Sequence, residues 1–333
     1  MEKKKLPIPP PDRRTHPKKK VISSSMAELM LRQIDQLRKT IADFFIIPSR
    51  INLRLNYSEL PNSVNILLFG PSGSGKSSLV RTLYRALHNT VQLPAEIRHK
   101  LVVKGSARNE GTTVYTTVLL KEETQYPKPT SGIKIHDTRG QIWMDNHEQA
   151  QADLILDGKV KDMARVEQRS TRYAYKLWEF WKSESQLFPT EILKEHPTLS
   201  DKPHCLLFVF DGSLEEIPNG EEETLFYREI MQLARSKGYF YPQIVLTHID
   251  RVEDKSKAEE ELREILDMKI EGVVMKLGIP RSSVHFIENY HDDQNEPDLN
   301  VDFHVLRLLH ESAQQGESYL QSQLKEKSAC EIQ

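Results

Sequence analysis

Between residues 23 and 45 the apolar side chains Met26, Leu29, Met30, Ile34, Leu37, Ile41, Phe44 and Phe45 recur every three or four positions. That spacing lines one face of an α-helix. Pro48 bars its extension, and the opposite face mixes Glu28 and Asp35 with Arg32, Arg38 and Lys39. Such a face suits a helix packed on a neighbouring domain better than one lying on an anionic membrane. From residue 64 the period changes. Short apolar runs at 64–69, 113–120, 133–136, 206–210, 244–246 and 284–287 read as strands, several of them apolar on both faces. Runs of that kind belong in a buried, mostly parallel sheet. Helical patterns at about 76–88, 222–237, 255–277 and 301–314 alternate with them. The order predicts a three-layer α/β/α domain.

The stretch from about 143 to 200 breaks the alternation. Met163, Val166, Tyr173, Leu177, Phe180 and Trp181 fall at loosely helical intervals there, and Pro189 and Pro197 mark a return. A helical insertion is expected. The chain then divides into a basic arm at 1–22, a helix and linker at 23–61 packing on the domain, the α/β domain at 62–315, and a polar tail at 316–333.

Composition narrows the partners. The 333 residues carry 46 basic and 48 acidic side chains, a net charge of −2 with neutral histidines, so no overall attraction to nucleic acid or anionic lipid is encoded. Lys3, Lys4, Lys5, Arg13, Arg14, Lys18, Lys19 and Lys20 concentrate positive charge in the proline-rich start, which reads as a solvated arm. No apolar run approaches the roughly 20 residues of a membrane span. With Cys205 and Cys330 as its two cysteines, the chain has no disulfide framework, which favours a reducing compartment. A cytoplasmic location is expected, with nuclear import through the arm left open.

Candidate chemistry begins directly after the first strand. Gly70-Pro71-Ser72-Gly73-Ser74-Gly75-Lys76-Ser77 fits G-x-x-x-x-G-K-[ST] between a strand and a helix, with Ser78 following inside the helix. The glycines let consecutive backbone N–H groups turn toward phosphate oxygens, and the helix adds its N-terminal dipole. Lys76 is expected to neutralise β- and γ-phosphates and Ser77 to ligate Mg²⁺. The octet alone would serve an ABC-type ATPase or a nucleotide kinase as well. No L-S-G-G-Q-like signature follows it.

Further residues bear on the base. Asp137-Thr138-Arg139-Gly140 follows the strand at 133–136, placing Asp137 to hold Mg²⁺ through water and the Gly140 N–H to meet a γ-phosphate. Thr112 or Thr113 offers a hydroxyl for the metal shell, Thr112 lying nearer the loop. Thr247-His248-Ile249-Asp250 follows the strand at 244–246, where Asp250 can accept guanine N1–H and N2–H₂, a donor pair adenine lacks. Asn289 follows the last strand, where a backbone N–H can meet guanine O6.

This ordered set, G-P-S-G-S-G-K-S, T-T, D-T-R-G and T-H-I-D, resembles a G-domain P-loop GTPase over about residues 62–315. Its style is most similar to the immunity-associated and interferon-inducible GTPase-like proteins. The resemblance implies bound GTP or GDP with Mg²⁺ and slow γ-phosphate hydrolysis in a molecular switch. It implies a homodimer or an activator protein as partner, without nucleic acid. Gln141 stands where Ras-like members place a water-orienting glutamine, so with Lys76 it is the expected catalytic residue. Two positions depart from the pattern: His248 replaces the usual base-loop lysine, and Arg139 occupies a slot that usually holds a small residue, proline or methionine, facing either phosphate or solvent. A nucleotide-binding scaffold without turnover and an ATP-dependent kinase or ATPase are the alternatives.

Overall fold

Six strands form one sheet in the order β2-β3-β1-β4-β5-β6, where β1 is Ser63–Phe69, β2 Thr116–Lys121, β3 Gly132–Asp137, β4 Cys205–Asp211, β5 Gln243–Thr247 and β6 Val284–Phe286. Every neighbouring pair is parallel except the edge pair β2 and β3. The architecture is taken from a computed structural model, which describes residues 24–46, 60–101, 114–123, 130–142, 144–164, 190–253, 259–291 and 296–330.

Strand sequence accounts for the layering. Side chains alternate across β1, so Val64, Ile66 and Leu68 enter one core while Leu67 and Phe69 enter the other, all at most 1% exposed. The first core is closed by α1 (Ser24–Ala42), α2 (Lys76–His88) and α8 (Leu299–Cys330). The second is closed by α4 (Asn146–Leu156), α5 (Gly220–Ser236) and α7 (Glu259–Leu277). Two short helices, α3 (Ala95–Lys100) and α6 (Ile249–Glu253), complete the set among the described residues. Each fully buried aliphatic side chain contributes roughly 1.5–3 kcal/mol to this assembly.

Three features bear on these expectations. The polar tail expected from 316 is helical through Cys330 as the second half of α8. Leu309, Ala313, Leu320 and Leu324 keep a buried stripe running along that helix while glutamine and serine dilute its composition. Gly316 lies so close to β1 that an added Cβ would sit 2.3 Å from Val64 Cγ1. Second, of the expected helical insertion the structure describes 144–164 and 190–200. Among its described residues α4 is the one α-helix, Val160 pairs antiparallel with Leu193, and 190–192 and 199–201 are single 3₁₀ turns. Val166, Tyr173, Leu177, Phe180 and Trp181 lie outside the described residues. Third, the apolar stripe of α1 is only partly covered: Ile34 and Ile41 are 1% exposed, whereas Met26 and Leu29 are each 52% exposed.

Candidate functional site

The loops at the C-terminal ends of β1, β3, β5 and β6 converge. From β1 the chain builds β2 and β3 on one side and then crosses past β1 to build β4, β5 and β6 on the other, so the strand order reverses at β1 and the crevice opens at its C-terminal end, where open α/β sheets bind ligands. The segment 70–75 turns from β1 into α2, with Ser72 and Gly73 exposed and Ser74 and Lys76 buried. Gly75 caps α2 at φ 85° without a side-chain cap, so the positive end of the helix dipole faces the loop, an arrangement suited to an anion. A Cβ there would meet Asn289 Nδ2 at 3.0 Å, Thr247 Oγ1 at 3.2 Å and His248 Cε1 at 3.4 Å. Left-handed backbone and crowding together require glycine.

Lys76 and Asp137 make the electrostatic centre. Lys76 Nζ donates to the carbonyls of Gly70 and Pro71, each at 2.8 Å, and lies 3.4 Å from Ser74 Oγ. Burial pulls its pKa down to about 8, against the opposing pull of Asp137 and Glu148. The Ser77 hydroxyl donates to Asp137 Oδ2. Asp137 is fully buried, and its Oδ1 has no hydrogen-bond partner among the described residues. Burial pushes its carboxyl up to about 6 although Ser77 and Lys76 favour the charged form. Both charges are thus under-compensated. A polyphosphate beside Lys76 and a hard cation beside Ser77 and Asp137 would relieve both, and an all-oxygen donor set of this kind fits Mg²⁺. Thr112, the remaining expected metal ligand, lies outside the described residues.

The segment after β3 is packed on the phosphate loop. Thr138 Oγ1 donates to Leu68 O at 2.7 Å, and a Cβ on Gly140 would lie 2.4 Å from Ser72 Cα. Ser72 N donates to Gln141 O at 2.9 Å, and Gln141 N to Gly70 O at 3.2 Å. The Gln141 side chain does not face the phosphate side as a water-orienting group would. Its Oε1 accepts from Gly70 N at 3.0 Å and Tyr227 OH at 3.3 Å, while Nε2 donates to Arg139 O at 3.2 Å. These bonds brace the phosphate loop, and the catalytic role expected of Gln141 would require its carboxamide to leave them. Arg139 is 8% exposed, near the carboxylates of Glu148 and Asp145. Gln141→Leu should lower stability by about 1–3 kcal/mol, because the Gly70 N–H loses its acceptor in a buried site. A urea-denaturation midpoint equal to the parent's would refute that bracing.

The base-side loops tie into the same cradle. Thr247 Oγ1 donates to Ser74 O at 2.7 Å, and Asn289 Nδ2 to Gly75 O at 3.3 Å. His248 takes up a left-handed backbone at φ 56°, with Nδ1 3.0 Å from Thr247 Oγ1 and 3.4 Å from Asp211 Oδ1. Asp250 lies in the first turn of α6, its side chain 17% exposed and Oδ2 3.8 Å from His291 Nε2. Ser78 lies in the first turn of α2, its carbonyl accepting from Thr82 Oγ1.

Two contributors escaped the sequence reading. Burial pushes Asp211 up, but bonds from His248 and Ser213 outweigh it and hold the carboxyl at about 2, so a carboxylate orients the imidazole. Its signal was the Asp-Gly pair closing the strand at 206–210. Glu148 accepts from Ile142 N and Met144 N, bracing the loop after Gly140. The Asp145-x-x-Glu148 spacing is a helix-start signal, and Asp145 does cap α4, accepting from His147 N and Glu148 N. A cavity of about 550 Å³ opens at the other end of the strands, lined by Leu206, Tyr239, Gln243 and Tyr319 among others, away from these loops.

No protein-family model matches the chain, and no curated protein matches it. Similar solved structures include Toc33 from Arabidopsis thaliana in complex with GDP and Mg²⁺, 16% identical, over 88% of this chain and 92% of that one, with a TM-score of 0.41. They also include the S. cerevisiae Ski7 GTPase-like domain bound to GDP and inorganic phosphate, 14% identical, over 76% of this chain and 50% of that one, TM-score 0.41. A bacterial selenocysteine-specific elongation factor, EF-Sec, is 15% identical over 76% of this chain and 28% of that one, TM-score 0.35. What the structure itself shows is an α/β fold, a mostly parallel six-stranded sheet between two layers of helices with four loops gathered at one end; likenesses this distant transfer no residue roles.

Proposed function

We propose that the chain binds a guanine nucleotide with Mg²⁺ and hydrolyses the γ-phosphate slowly, as a switch. The observation that carries the reading is the convergence on Gly75: Lys76 and Ser77 lie on its phosphate side, while Thr247, His248 and Asn289 press on it from the base side. One loop would thereby set the distance between a phosphate cradle and the carboxylate of Asp250. Gly70, Pro71, Ser72, Gly73, Ser74, Gly75, Lys76, Ser77 and Ser78 would surround the phosphates, and Gly140 would meet the γ-phosphate through its N–H. Ser77 and Asp137 would hold the ion directly and through water, with Thr112 as a further ligand. Bound there, Mg²⁺ neutralises charge on the phosphates. Asp250 would accept from guanine N1–H and N2–H₂, beside the His248 ring and Asn289.

Slow turnover is supported by Gln141, whose carboxamide is held by Gly70 and Tyr227. Positioning carries most of phosphoryl-transfer catalysis, so a chain with that group committed elsewhere leans on a partner, either an activator or a second copy. The closer placement beside the immunity-associated and interferon-inducible GTPase-like proteins rests on the T-H-I-D loop and the apolar strand before Asp211.

Calorimetry of the purified chain with GDP and ADP, each with Mg²⁺, tests the reading. GDP should bind at least about tenfold more tightly, and Asp250→Ala should cost about 1.5–3 kcal/mol with GDP alone, the worth of hydrogen bonds to a charged acceptor. Tighter binding of ADP would sink it.

A further inference from the structure

The loop that follows β6 is held from a direction that the phosphate and base contacts do not explain. Tyr290, next to Asn289, is fixed at each of its polar ends. Its N–H donates to Thr82 Oγ1 of α2 at 3.0 Å, and its hydroxyl donates to Asp302 Oδ1 of α8 at 2.7 Å while accepting from Asp298 N at 2.8 Å. The Arg85 guanidinium stacks over the ring with its central carbon 4.2 Å from the centroid. The second oxygen of Asp302 accepts from Arg38 Nη2 at 2.7 Å, and Arg38 Nε donates to Ala86 O at 2.8 Å. Asp302 is 3% exposed and Tyr290 8%. Arg38 belongs to α1, which precedes the domain proper and is separated from Asp302 by 264 positions.

We infer that α1 is part of the base-reading apparatus: Arg38, acting through Asp302 and Tyr290, positions the loop that carries Asn289 beside Gly75 and His291 beside Asp250. The inference rests on the guanine-nucleotide reading above. In a buried chain of hydrogen bonds the loss of one member leaves its neighbour's charge unpaired, so the arrangement relaxes as a unit. Removing Arg38 strips Asp302 of its cation, and the carboxylate then competes differently for the Tyr290 hydroxyl. The phenol anchors the very residue that follows Asn289, whose amide reaches the Gly75 carbonyl at 3.3 Å. Displacing an oriented group by about 1 Å is enough to cost roughly 100-fold in a positioned reaction, so a smaller shift at the base suffices for a measurable loss. Arg38, Asp302 and Tyr290 are positioning residues; the hydrogen bonds given above take them to Ala86, Thr82, Asp298 and one another and not directly to the phosphate loop.

The test compares GDP with inorganic pyrophosphate, which occupies the phosphate cradle and makes no base contact. Calorimetry on the full-length chain with Mg²⁺ should show Arg38→Ala and Tyr290→Phe each weakening GDP about tenfold while pyrophosphate stays within about twofold, and the double variant no weaker than the worse single one. Arg38→Lys, which keeps the charge, should recover most of the loss. Tyr290→Phe removes one hydroxyl, so it remains informative if Arg38→Ala fails to fold. GDP affinity unchanged in the variants, or GDP and pyrophosphate weakened alike, overturns the inference while leaving the guanine reading intact. A parent chain that does not bind GDP overturns both.

Discussion

Gly70→Ala should destabilise the protein by about 3 kcal/mol or more, the range in which forced overpacking and backbone displacement fall. Gly70 follows β1 at the point where β4 runs alongside, in register as Phe69 against Phe208. A Cβ there would sit 2.0 Å from Val209 O and 3.0 Å from its carbonyl carbon. The obstacle is the main chain of a central strand, and Val209 is fully buried between neighbours that cannot give way. Either β1 and β4 separate at their C-terminal ends or the phosphate loop lifts from Gln141, which bonds both polar groups of Gly70. Urea denaturation measures the result as a lowered midpoint. A midpoint within error of the parent's would mean that the close approach is relieved at little cost, and would undercut the argument that this glycine is required by space.

Contiguous motifs were the legible part of this chain. The octet at 70–77, the D-x-x-G at 137–140 and the base loop at 247–250 each lie within one turn and one strand end, so sequence order alone placed them at a common edge of the sheet. The central strands were legible for the same reason: β1, β4 and β5 are apolar on both faces, a pattern that belongs in a buried parallel sheet. Side-chain direction was not legible. The position of Gln141 after Gly140 suggested a group facing the γ-phosphate, whereas the bridge between Pro71 and Gln141 turns its carboxamide inward to Gly70 and Tyr227. Helix length at the C-terminus was hidden by composition, because Gln and Ser separate Leu320 from Leu324 without interrupting the buried stripe. The Arg38–Asp302 pair was beyond any local pattern, being made by tertiary packing of α1 on α8.

Lys76→Met should abolish binding of both GDP and pyrophosphate, lowering affinity on the order of 100-fold or more. Two opposite charges about 4 Å apart in a site of effective dielectric near 20 attract by about 4 kcal/mol, and every 1.4 kcal/mol is a factor of ten. The lysine is prepared for that interaction by its surroundings. It is 6% exposed, its pKa is depressed to about 8 by burial, and its protein partners are two backbone carbonyls with Asp137 and Glu148 at longer range. An incoming phosphate therefore meets an ammonium whose charge the protein has left largely uncompensated, and part of the desolvation cost is already borne by the fold. Methionine keeps the apolar stem and the packing of α2 against β1 while removing the charge, so a folded variant with lost binding isolates the electrostatic contribution. The pattern also separates this residue from the base-side groups. Asp250→Ala, Arg38→Ala and Tyr290→Phe should impair GDP and spare pyrophosphate, whereas Lys76→Met should impair the two together. Retention of pyrophosphate binding by Lys76→Met would show that the helix N-terminus and the loop N–H groups suffice for the anion, and that the buried ammonium serves to hold Gly70 and Pro71 in place.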